Sequence, residues 1–310
     1  MEEEQVYENN YSNIVLSGGG VKGLIHIGVL QILEENNILK NLNKFCGSSI
    51  GSLLCLLLNL ELNVRDIETL FLCVDSTKFI DFNPENIINL MDNLGCESSD
   101  SIENIIKIIL EKKTNNPLIT FKELYELTGK ELTVVGTSIE EYKAYYFNWK
   151  NTPDVSVCEG IMISLCVPFI FEPRKYNGKM FVDGGICSNF PIEYFKDEID
   201  KTIGILLIND YDNQEKIIPP TDIFSLSFHI FYCALTETDN MKYSIWNSNI
   251  IRICSTQPSF KFDIFNSKKI ELIQLGRKST VTFLQQKEDT LIDTFVNKYV
   301  NRIISSIINK

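Results

Sequence analysis

Two glycine-rich loops near the start of the chain, each next to apolar segments, constrain the fold more than any other feature. The first, Ser17–Gly23, follows the apolar segment Asn13–Leu16, and the second, Gly47–Gly51, precedes an apolar stretch from Ser52 to Leu60. A glycine loop between an apolar strand and an apolar helix is typical of α/β proteins. The repeated order of strand, loop and helix therefore predicts a parallel sheet with helices on both faces.

The second loop has the form G-x-S-x-G, with Ser49 between Gly47 and Gly51. In this motif a sharp strand-to-helix turn exposes the central hydroxyl, and glycines are needed where neighbouring backbone segments approach closely. The spacing selects Ser49 rather than Ser48 or Ser52 as the candidate nucleophile. Taken alone, the motif also fits an ordinary strand–turn–helix unit with an incidental serine.

The first loop contains three consecutive glycines, Gly18, Gly19 and Gly20, followed by Lys22 and Gly23. The dinucleotide-binding motif G-x-G-x-x-G has the same spacing, but the acidic residue that it expects at the end of the next strand is missing. A Walker loop requires Gly-Lys-Ser/Thr, whereas Lys22 is followed by Gly23. The remaining interpretation is a turn at a helix N-terminus whose backbone N–H groups stabilise an anion.

A nucleophilic serine needs a base, and few residues are candidates because the chain has only two histidines. His26 falls in the helix predicted after the first loop, which favours a structural role. His229 is the candidate for a Ser-Asp-His triad, although its apolar helical surroundings also fit a packing role. Asp183 follows an apolar strand-like segment and precedes Gly184 and Gly185. Burial of its carboxylate would raise the pKa towards neutrality, and the carboxylate could then accept the proton of the serine. The Asp-Gly dipeptide is also common in ordinary turns, and the residues alone leave the base open.

The composition indicates a globular protein from a reducing compartment. A length of 310 residues suits one large domain, and the net charge of −12 argues against nucleic-acid binding. Nine cysteines without a C-x-x-C pair predict free thiols and a cytoplasmic location. We expect no signal peptide and no transmembrane segment, since no apolar run is long enough for either. The residue pattern predicts neither a metal nor a cofactor.

The chain is expected to have three regions. Residues 1–12 are predicted to be a disordered acidic lead, 13–208 the catalytic core, and 209–310 a mainly helical C-terminal part packed on that core. Strands are predicted at 13–16, 44–48, 131–137, 143–148, 179–182 and 202–208. Helices are predicted at 23–36, 50–60 and 157–165, and the pattern after Pro219 and Pro220 becomes helical again.

The ordered motifs resemble those of the patatin-like phospholipase family. Besides the two glycine loops, the matching segments are Asp183-Gly184-Gly185, the following Asn189-Phe190-Pro191, and a serine- and proline-containing segment from Ser164 to Pro173. The resemblance extends from about Asn13 to Ile208, and position 22 departs from it in carrying Lys where Arg is common. It implies an α/β three-layer sandwich, with a mostly parallel central sheet flanked by helices.

The resemblance also implies a Ser–Asp dyad that works without histidine. By position, Ser49 is the nucleophile, Asp183 is the base, and the N–H groups of Gly18, Gly19 and Gly20 hold the oxyanion. The supporting motif residues are Lys22, Gly23, Gly47, Gly51, Gly184 and Gly185.

The implied function is a metal-independent lipid acyl hydrolase of the phospholipase A type. It would bind a lipid substrate at a membrane or micelle surface as a peripheral protein, without a cofactor. Three alternatives stay open: a non-catalytic lipid-binding or storage protein with the same fold, a Ser-Asp-His esterase that uses His229, and a nucleotide-binding module. The oligomeric state is not predicted.

Overall fold

The computed structural model describes residues 11–73, 94–97, 99–209, 219–221 and 223–308. Its strands are β1 (Asn13–Leu16), β2 (Lys44–Ser48), β3 (Gly95–Glu97), β4 (Glu131–Ser138), β5 (Lys143–Phe147), β6 (Phe169–Phe171), β7 (Arg174–Tyr176), β8 (Lys179–Asp183), β9 (Thr202–Asn209) and β10 (Ile250–Ser255). Its helices are α1 (Gly23–Glu35), α2 (Ile50–Asn59), α3 (Val64–Cys73), α4 (Asp100–Thr114), α5 (Phe121–Thr128), α6 (Val157–Ser164), α7 (Gly185–Ser188), α8 (Ile223–Trp246) and α9 (Asn266–Ile308). Shorter 3₁₀ segments include Gly20–Lys22 and Ile192–Lys201.

One eight-stranded mixed sheet organises most of these elements, while β3 and β6 pair parallel in a separate two-stranded sheet. Within the described residues its strand order is β10-β9-β1-β2-β4-β8-β7, and β5 also pairs with β4. The strands from β10 to β4 run parallel, whereas β5 and β8 are antiparallel to β4, and β7 is antiparallel to β8. The two glycine loops follow β1 and β2, which are neighbours in the parallel part of the sheet, so both loops lie at the C-terminal ends of the parallel strands. This end of the sheet is where α/β proteins usually bind ligands.

Helices cover both faces of the sheet because the central strands are apolar on both sides, as parallel strands usually are. Along β1, Ile14 and Leu16 pack into one core together with α1, α2, α6 and α9. The residue between them, Val15, packs into a second core with the segment Ile192–Lys201 and the end of α8. The predicted α/β sandwich with a sheet flanked by helices is thereby confirmed.

The C-terminal part differs from its prediction in one respect. The sequence after Pro219 and Pro220 predicts helices, but the structure also contains β10, which pairs parallel to β9 at the edge of the sheet. The burial of β10 alternates along Arg252–Ser255, as expected for a strand with one face towards solvent. The β-branched residues Ile250 and Ile251 indicate a strand, but an apolar run this short between two helical segments does not distinguish a strand from a helix.

The long helix α9 packs directly against α1. A Cβ atom on Gly28 would lie 1.9 Å from the carbonyl oxygen of Ile273, and one on Gly276 would lie 2.1 Å from that of Ile25. The two backbones therefore touch at this crossing, and only glycine leaves enough room on either helix. No helix among the described residues is both long and apolar enough to cross a bilayer.

The acidic lead falls largely outside the described residues, which begin at residue 11. Tyr11 and Ser12 belong to the fold, contrary to the expectation that disorder extends to residue 12. Tyr11 is buried and its hydroxyl donates to Asn249 at 3.2 Å, while the Ser12 N–H donates to the carbonyl of Lys201 at 3.0 Å. The boundary shifts because the Tyr11 ring adds apolar surface to the core.

Candidate active site

Ser49 occupies a strained turn between β2 and α2. Its φ of 52° and ψ of −130° lie in a region that residues other than glycine rarely adopt, at a cost of about 1–3 kcal/mol. The Ser49 N–H donates to Ser164 Oγ at 2.9 Å, and the Ser49 carbonyl accepts from the N–H and the hydroxyl of Ser52 at 2.8 and 2.7 Å. These bonds hold the backbone of the turn without using the Ser49 hydroxyl.

The predicted supporting glycines lie where the backbone around Ser49 is most crowded. A Cβ atom on Gly47 would lie 2.5 Å from the backbone of Gly51, and one on Gly51 would lie 2.4 Å from the carbonyl oxygen of Leu16. Gly23 begins α1 and packs against the side chain of Ile50, at 2.5 Å from an added Cβ. The turn therefore depends on close packing of β1, β2 and the two helices that follow them.

The register of the sheet brings Asp183 beside Ser49 from a distant part of the chain. Ser48 pairs with Val135 on β4, and the next residue of β4, Gly136, pairs with Asp183 on β8. Although β8 runs antiparallel to β4, it ends at the level where β2 ends. Both side chains line the same small cavity, and both are more than nine-tenths buried.

The Asp183 carboxyl is buried and incompletely hydrogen-bonded. Its Oδ1 accepts from the Gly185 N–H at 2.7 Å, while Oδ2 has no hydrogen-bond partner of regular geometry among the described residues. Burial raises the pKa of Asp183 from 3.8 to about 7, and the nearby Ser49 hydroxyl and the Gly185 N–H limit this rise. Asp183 Oδ2 therefore keeps acceptor capacity near Ser49, whose hydroxyl lowers the pKa of this carboxyl.

The first glycine loop lines the same cavity, but its three N–H groups are not equivalent. The sequence predicts that Gly18, Gly19 and Gly20 all face an oxyanion. The Gly18 N–H instead donates to the carbonyl of Asn189 at 3.0 Å, whereas those of Gly19 and Gly20 donate no hydrogen bond within the described residues. Of the three N–H groups, only those of Gly19 and Gly20 are therefore available to bind an oxyanion, because the Gly18 N–H is already hydrogen-bonded.

Lys22 and Gly184 pack beside the first glycine loop and the loop after Asp183, respectively. Lys22 is buried in the cavity wall, where its Nζ donates to Asn209 Oδ1 at 2.8 Å. Burial lowers the pKa of Lys22 to about 8, and the charge of Asp239 opposes this change. A Cβ atom on Gly184 would lie 2.2 Å from the carbonyl oxygen of Val135, which explains the glycine after Asp183.

Neither histidine lines the cavity that holds Ser49. His26 Nε2 donates to the Ser17 carbonyl at 2.8 Å, and burial lowers the pKa of this histidine to about 4, so its ring is neutral. His229 Nδ1 donates to the carbonyl of Ser225, one turn earlier in α8, at 2.7 Å. The described residues also contain no group of three or more His, Cys, Asp or Glu side chains arranged to hold a metal ion.

A second, larger cavity of about 180 Å³ also borders Ser49. Its walls are almost entirely apolar and include Leu53, Phe71, Ile106 and Phe262. Gly20, Ser49, Val167 and Phe260 line both cavities, so Ser49 borders the small cavity that contains Asp183 as well as the larger apolar one. Sequence reasoning did not find this cavity because its walls come from segments that are far apart in the sequence: the start of α1, the helices α2, α3 and α4, residues 165–171 and residues 260–269.

Comparison with known proteins supports the same interpretation of the chain. The family model described as patatin-like phospholipase matches residues 14–196. An uncharacterized protein of Acanthamoeba polyphaga mimivirus is 27% identical over 285 residues, which cover 89% of this chain and 94% of the relative. A probable lipid hydrolase of Invertebrate iridescent virus 6 is 32% identical over 183 residues, or 59% of this chain and 62% of that protein.

Other similar proteins share the fold or a part of the sequence. Triacylglycerol lipase 5 of Saccharomyces cerevisiae is 28% identical over 209 residues, covering 58% of this chain but only 27% of the lipase. The crystal structure of VipD from Legionella pneumophila superposes with a TM-score of 0.58 at 18% identity, over 89% of this chain and 67% of VipD. The family model covers more than half of the chain and contains both Ser49 and Asp183. The chain belongs to the patatin-like phospholipase family.

Proposed function

We propose that this protein is a metal-independent lipid acyl hydrolase of the phospholipase A type, with Ser49 as nucleophile and Asp183 as base. One observation carries this proposal: a serine in a strained turn lies beside a buried carboxyl whose pKa is raised to about 7. Perturbed pKa values of this kind concentrate at catalytic sites, because a base works best when its pKa is close to the working pH.

In the proposed reaction, the Ser49 hydroxyl attacks the carbonyl carbon of a fatty acyl ester while Asp183 Oδ2 takes the hydroxyl proton. The tetrahedral intermediate collapses as the proton passes to the leaving oxygen, and the alcohol or lysolipid departs. Water then attacks the Ser49 acyl ester, giving its proton to Asp183, and the fatty acid leaves as that proton passes from Asp183 to Ser49 Oγ. Asp183 returns to its ionised form in each half of the cycle.

The oxyanion of both intermediates is assigned to the N–H groups of Gly19 and Gly20. These groups have no partner within the described residues and lie in the wall of the Ser49 cavity. The loop leads directly into α1, whose N-terminal dipole favours negative charge at this place. Donors fixed in this way are worth about 3–4 kcal/mol each in acyl-transfer sites.

The apolar cavity is proposed to hold the acyl chain of the substrate. It begins at Ser49 and continues between α2 and α4, so a chain bound there would have its ester at the nucleophile. The relatives named as a lipid hydrolase and a triacylglycerol lipase support a lipid substrate in general terms. The preferred head group and acyl position are not part of the proposal.

We further propose that the protein binds the lipid surface peripherally, with α8 at the contact. Ile223, Leu226 and Ile230 are exposed on one face of α8, at 69%, 42% and 63% of their full surface. On the inner side of the same helix, Phe231 and Leu235 line the Ser49 cavity. The cysteines whose side chains are described form no disulfide bonds, which supports a cytoplasmic location.

The proposal is tested with a fluorophosphonate probe and with mixed micelles of phosphatidylcholine and detergent. We expect the probe to label Ser49 and the wild-type protein to release fatty acid, whereas Ser49→Ala does neither. If the probe labels no serine in the folded protein, and no fatty acid appears in the presence of micelles, the hydrolase proposal fails and the non-catalytic alternative is favoured. Loss of activity in His229→Ala with an unchanged fold would replace the dyad with a triad.

A further inference from the structure

Asp239 is a buried acidic residue on α8 that neither the sequence motifs nor the proposed reaction uses. It is 1% exposed, and its Oδ2 accepts a hydrogen bond from Asn189 Nδ2 at 2.7 Å. Its Oδ1 has no hydrogen-bond partner among the described residues. Asp239 also lies outside residues 14–196, the part of the chain that the family model matches.

Asn189, the partner of Asp239, touches both catalytic loops. Its carbonyl accepts the N–H of Gly18 at 3.0 Å, which fixes the start of the oxyanion loop. Its side-chain Oδ1 lies 2.4 Å from the place where a Cβ atom of Gly18 would be, and 3.3 Å from the corresponding place on Gly185. The Asn189 amide therefore fills the space between the oxyanion loop and the loop that carries the base.

The acceptor on Asp239 determines how this amide is oriented. An ionised carboxylate only accepts hydrogen bonds, so it holds the Nδ2 side of the Asn189 amide towards α8 and leaves Oδ1 facing the two loops. Without it, the amide could turn or withdraw, and nothing else in the described residues bonds to Nδ2. A shift of the Gly18 backbone would then move the neighbouring N–H groups of Gly19 and Gly20.

We infer that Asp239 is a positioning residue for the hydrolysis, which acts through Asn189 to place the oxyanion donors relative to Ser49. This inference rests on the proposed function, and it adds a residue from α8 to the determinants of catalysis. Asp239 does not touch the reacting atoms in this role. Its removal should lower the rate of the chemical step more than it weakens substrate binding.

Lys242, one turn further along α8, provides a matched control. Its Nζ donates to Ser188 Oγ at 2.9 Å, to the Phe190 carbonyl at 2.9 Å and to Glu193 Oε1 at 3.0 Å. It thus anchors the same helix to the same segment of chain as Asp239, but without bonding to Asn189. A variant at Lys242 removes these contacts and a positive charge near Asp239, but it does not itself remove the hydrogen bond between Asp239 and Asn189.

The experiment compares Asp239→Ala, Asp239→Asn and Lys242→Met with the wild type. Fatty acid release from the phosphatidylcholine micelles gives kcat and KM, and the rate of fluorophosphonate labelling reports on Ser49 independently of lipid. We expect Asp239→Ala to lower kcat and the labelling rate by about tenfold or more with KM within about twofold. Asp239→Asn keeps an acceptor oxygen and should restore both rates to within about threefold of wild type. Lys242→Met should lower the melting temperature but not the labelling rate.

The outcomes separate the positioning role from its alternatives. A folded Asp239→Ala protein with wild-type kcat and labelling rate would overturn the inference, as would an equal loss of rate in Lys242→Met. An increase in KM at constant kcat would make Asp239 a substrate-binding residue instead. If Asp239→Ala does not fold, Asp239→Ser is measured in its place, and failure of both to fold would show a purely structural contact. If the wild type releases no fatty acid, the proposed function fails while the labelling rates still test the inference.

Discussion

Replacing Asp183 with asparagine should abolish turnover and yet stabilise the protein at alkaline pH. The carboxyl is 5% exposed, and burial raises its pKa from 3.8 in the unfolded chain to about 7 in the folded protein. The amide side chain of Asp183→Asn would keep an oxygen for the Gly185 N–H but would carry no charge to bury. The variant therefore lacks the unfavourable free energy of ionising a buried carboxyl group, which lowers the stability of the wild type at high pH.

The size of the effect follows from the difference between the two pKa values. Because the folded protein holds the Asp183 proton more tightly than the unfolded chain does, the folded state loses stability as the pH rises from about 4 to about 7. The shift of about 3 pKa units corresponds to about 4 kcal/mol at most, since each unit is worth about 1.4 kcal/mol. Between pH 5 and pH 8 the loss is about 2–3 kcal/mol.

The assay is guanidinium unfolding of the wild type and Asp183→Asn in the same buffers at pH 5 and pH 8. Taking the difference between the two proteins cancels the titration of all other groups, including Asp239, whose pKa burial raises to about 6. We expect the stability advantage of the variant to be about 2–3 kcal/mol larger at pH 8 than at pH 5. A difference that does not change with pH would refute the reasoning, because it would mean that Asp183 ionises as easily in the folded as in the unfolded chain.

Three further predictions follow from the packing around the site. Gly51→Ala should fail to fold or should lower the free energy of unfolding by more than about 2 kcal/mol, because its Cβ would lie 2.4 Å from the Leu16 carbonyl oxygen. Its control, Gly129→Ala, has a positive φ but open space around the added Cβ, and it should lower the free energy of unfolding by only about 1 kcal/mol, as measured by thermal unfolding. His229→Ala should retain activity within about twofold, and a larger loss would favour a triad. Leu53→Trp should lower the ratio of laurate to butyrate ester hydrolysis, because it fills the apolar cavity; an unchanged ratio would place the acyl chain elsewhere.

The parts of the site that were predicted from sequence are those set by neighbouring residues. The strands β1 and β2, the two loops and the following helices are local units, in which glycine spacing and apolar runs carry the information. The pairing of Ser49 with Asp183 is different, since it depends on the register of β2, β4 and β8. Only the resemblance to a known family supplied that pairing before the structure did.

The contributions of the C-terminal part could not be predicted in the same way. The Asn189–Asp239 contact joins residues that are 50 positions apart, and no spacing rule connects an aspartate in the middle of a helix with an asparagine in a loop. The apolar cavity likewise collects side chains from segments that are far apart in the sequence. Short motifs identified which chemical groups are present, whereas the space around them depends on tertiary packing.

Activity and stability of this site should therefore change in opposite directions with pH. The proposed mechanism requires an ionised Asp183 to accept the proton of Ser49, so it predicts that kcat/KM rises about tenfold between pH 6 and pH 8 for a base with a pKa of about 7. Over the same range the folded protein loses the stability that the protonated carboxyl provided. The strained turn at Ser49 adds a further cost of about 1–3 kcal/mol that is independent of pH. Both costs fall on groups that the closely packed loops hold in place, and the role inferred for the Asn189–Asp239 contact is to keep those loops in position.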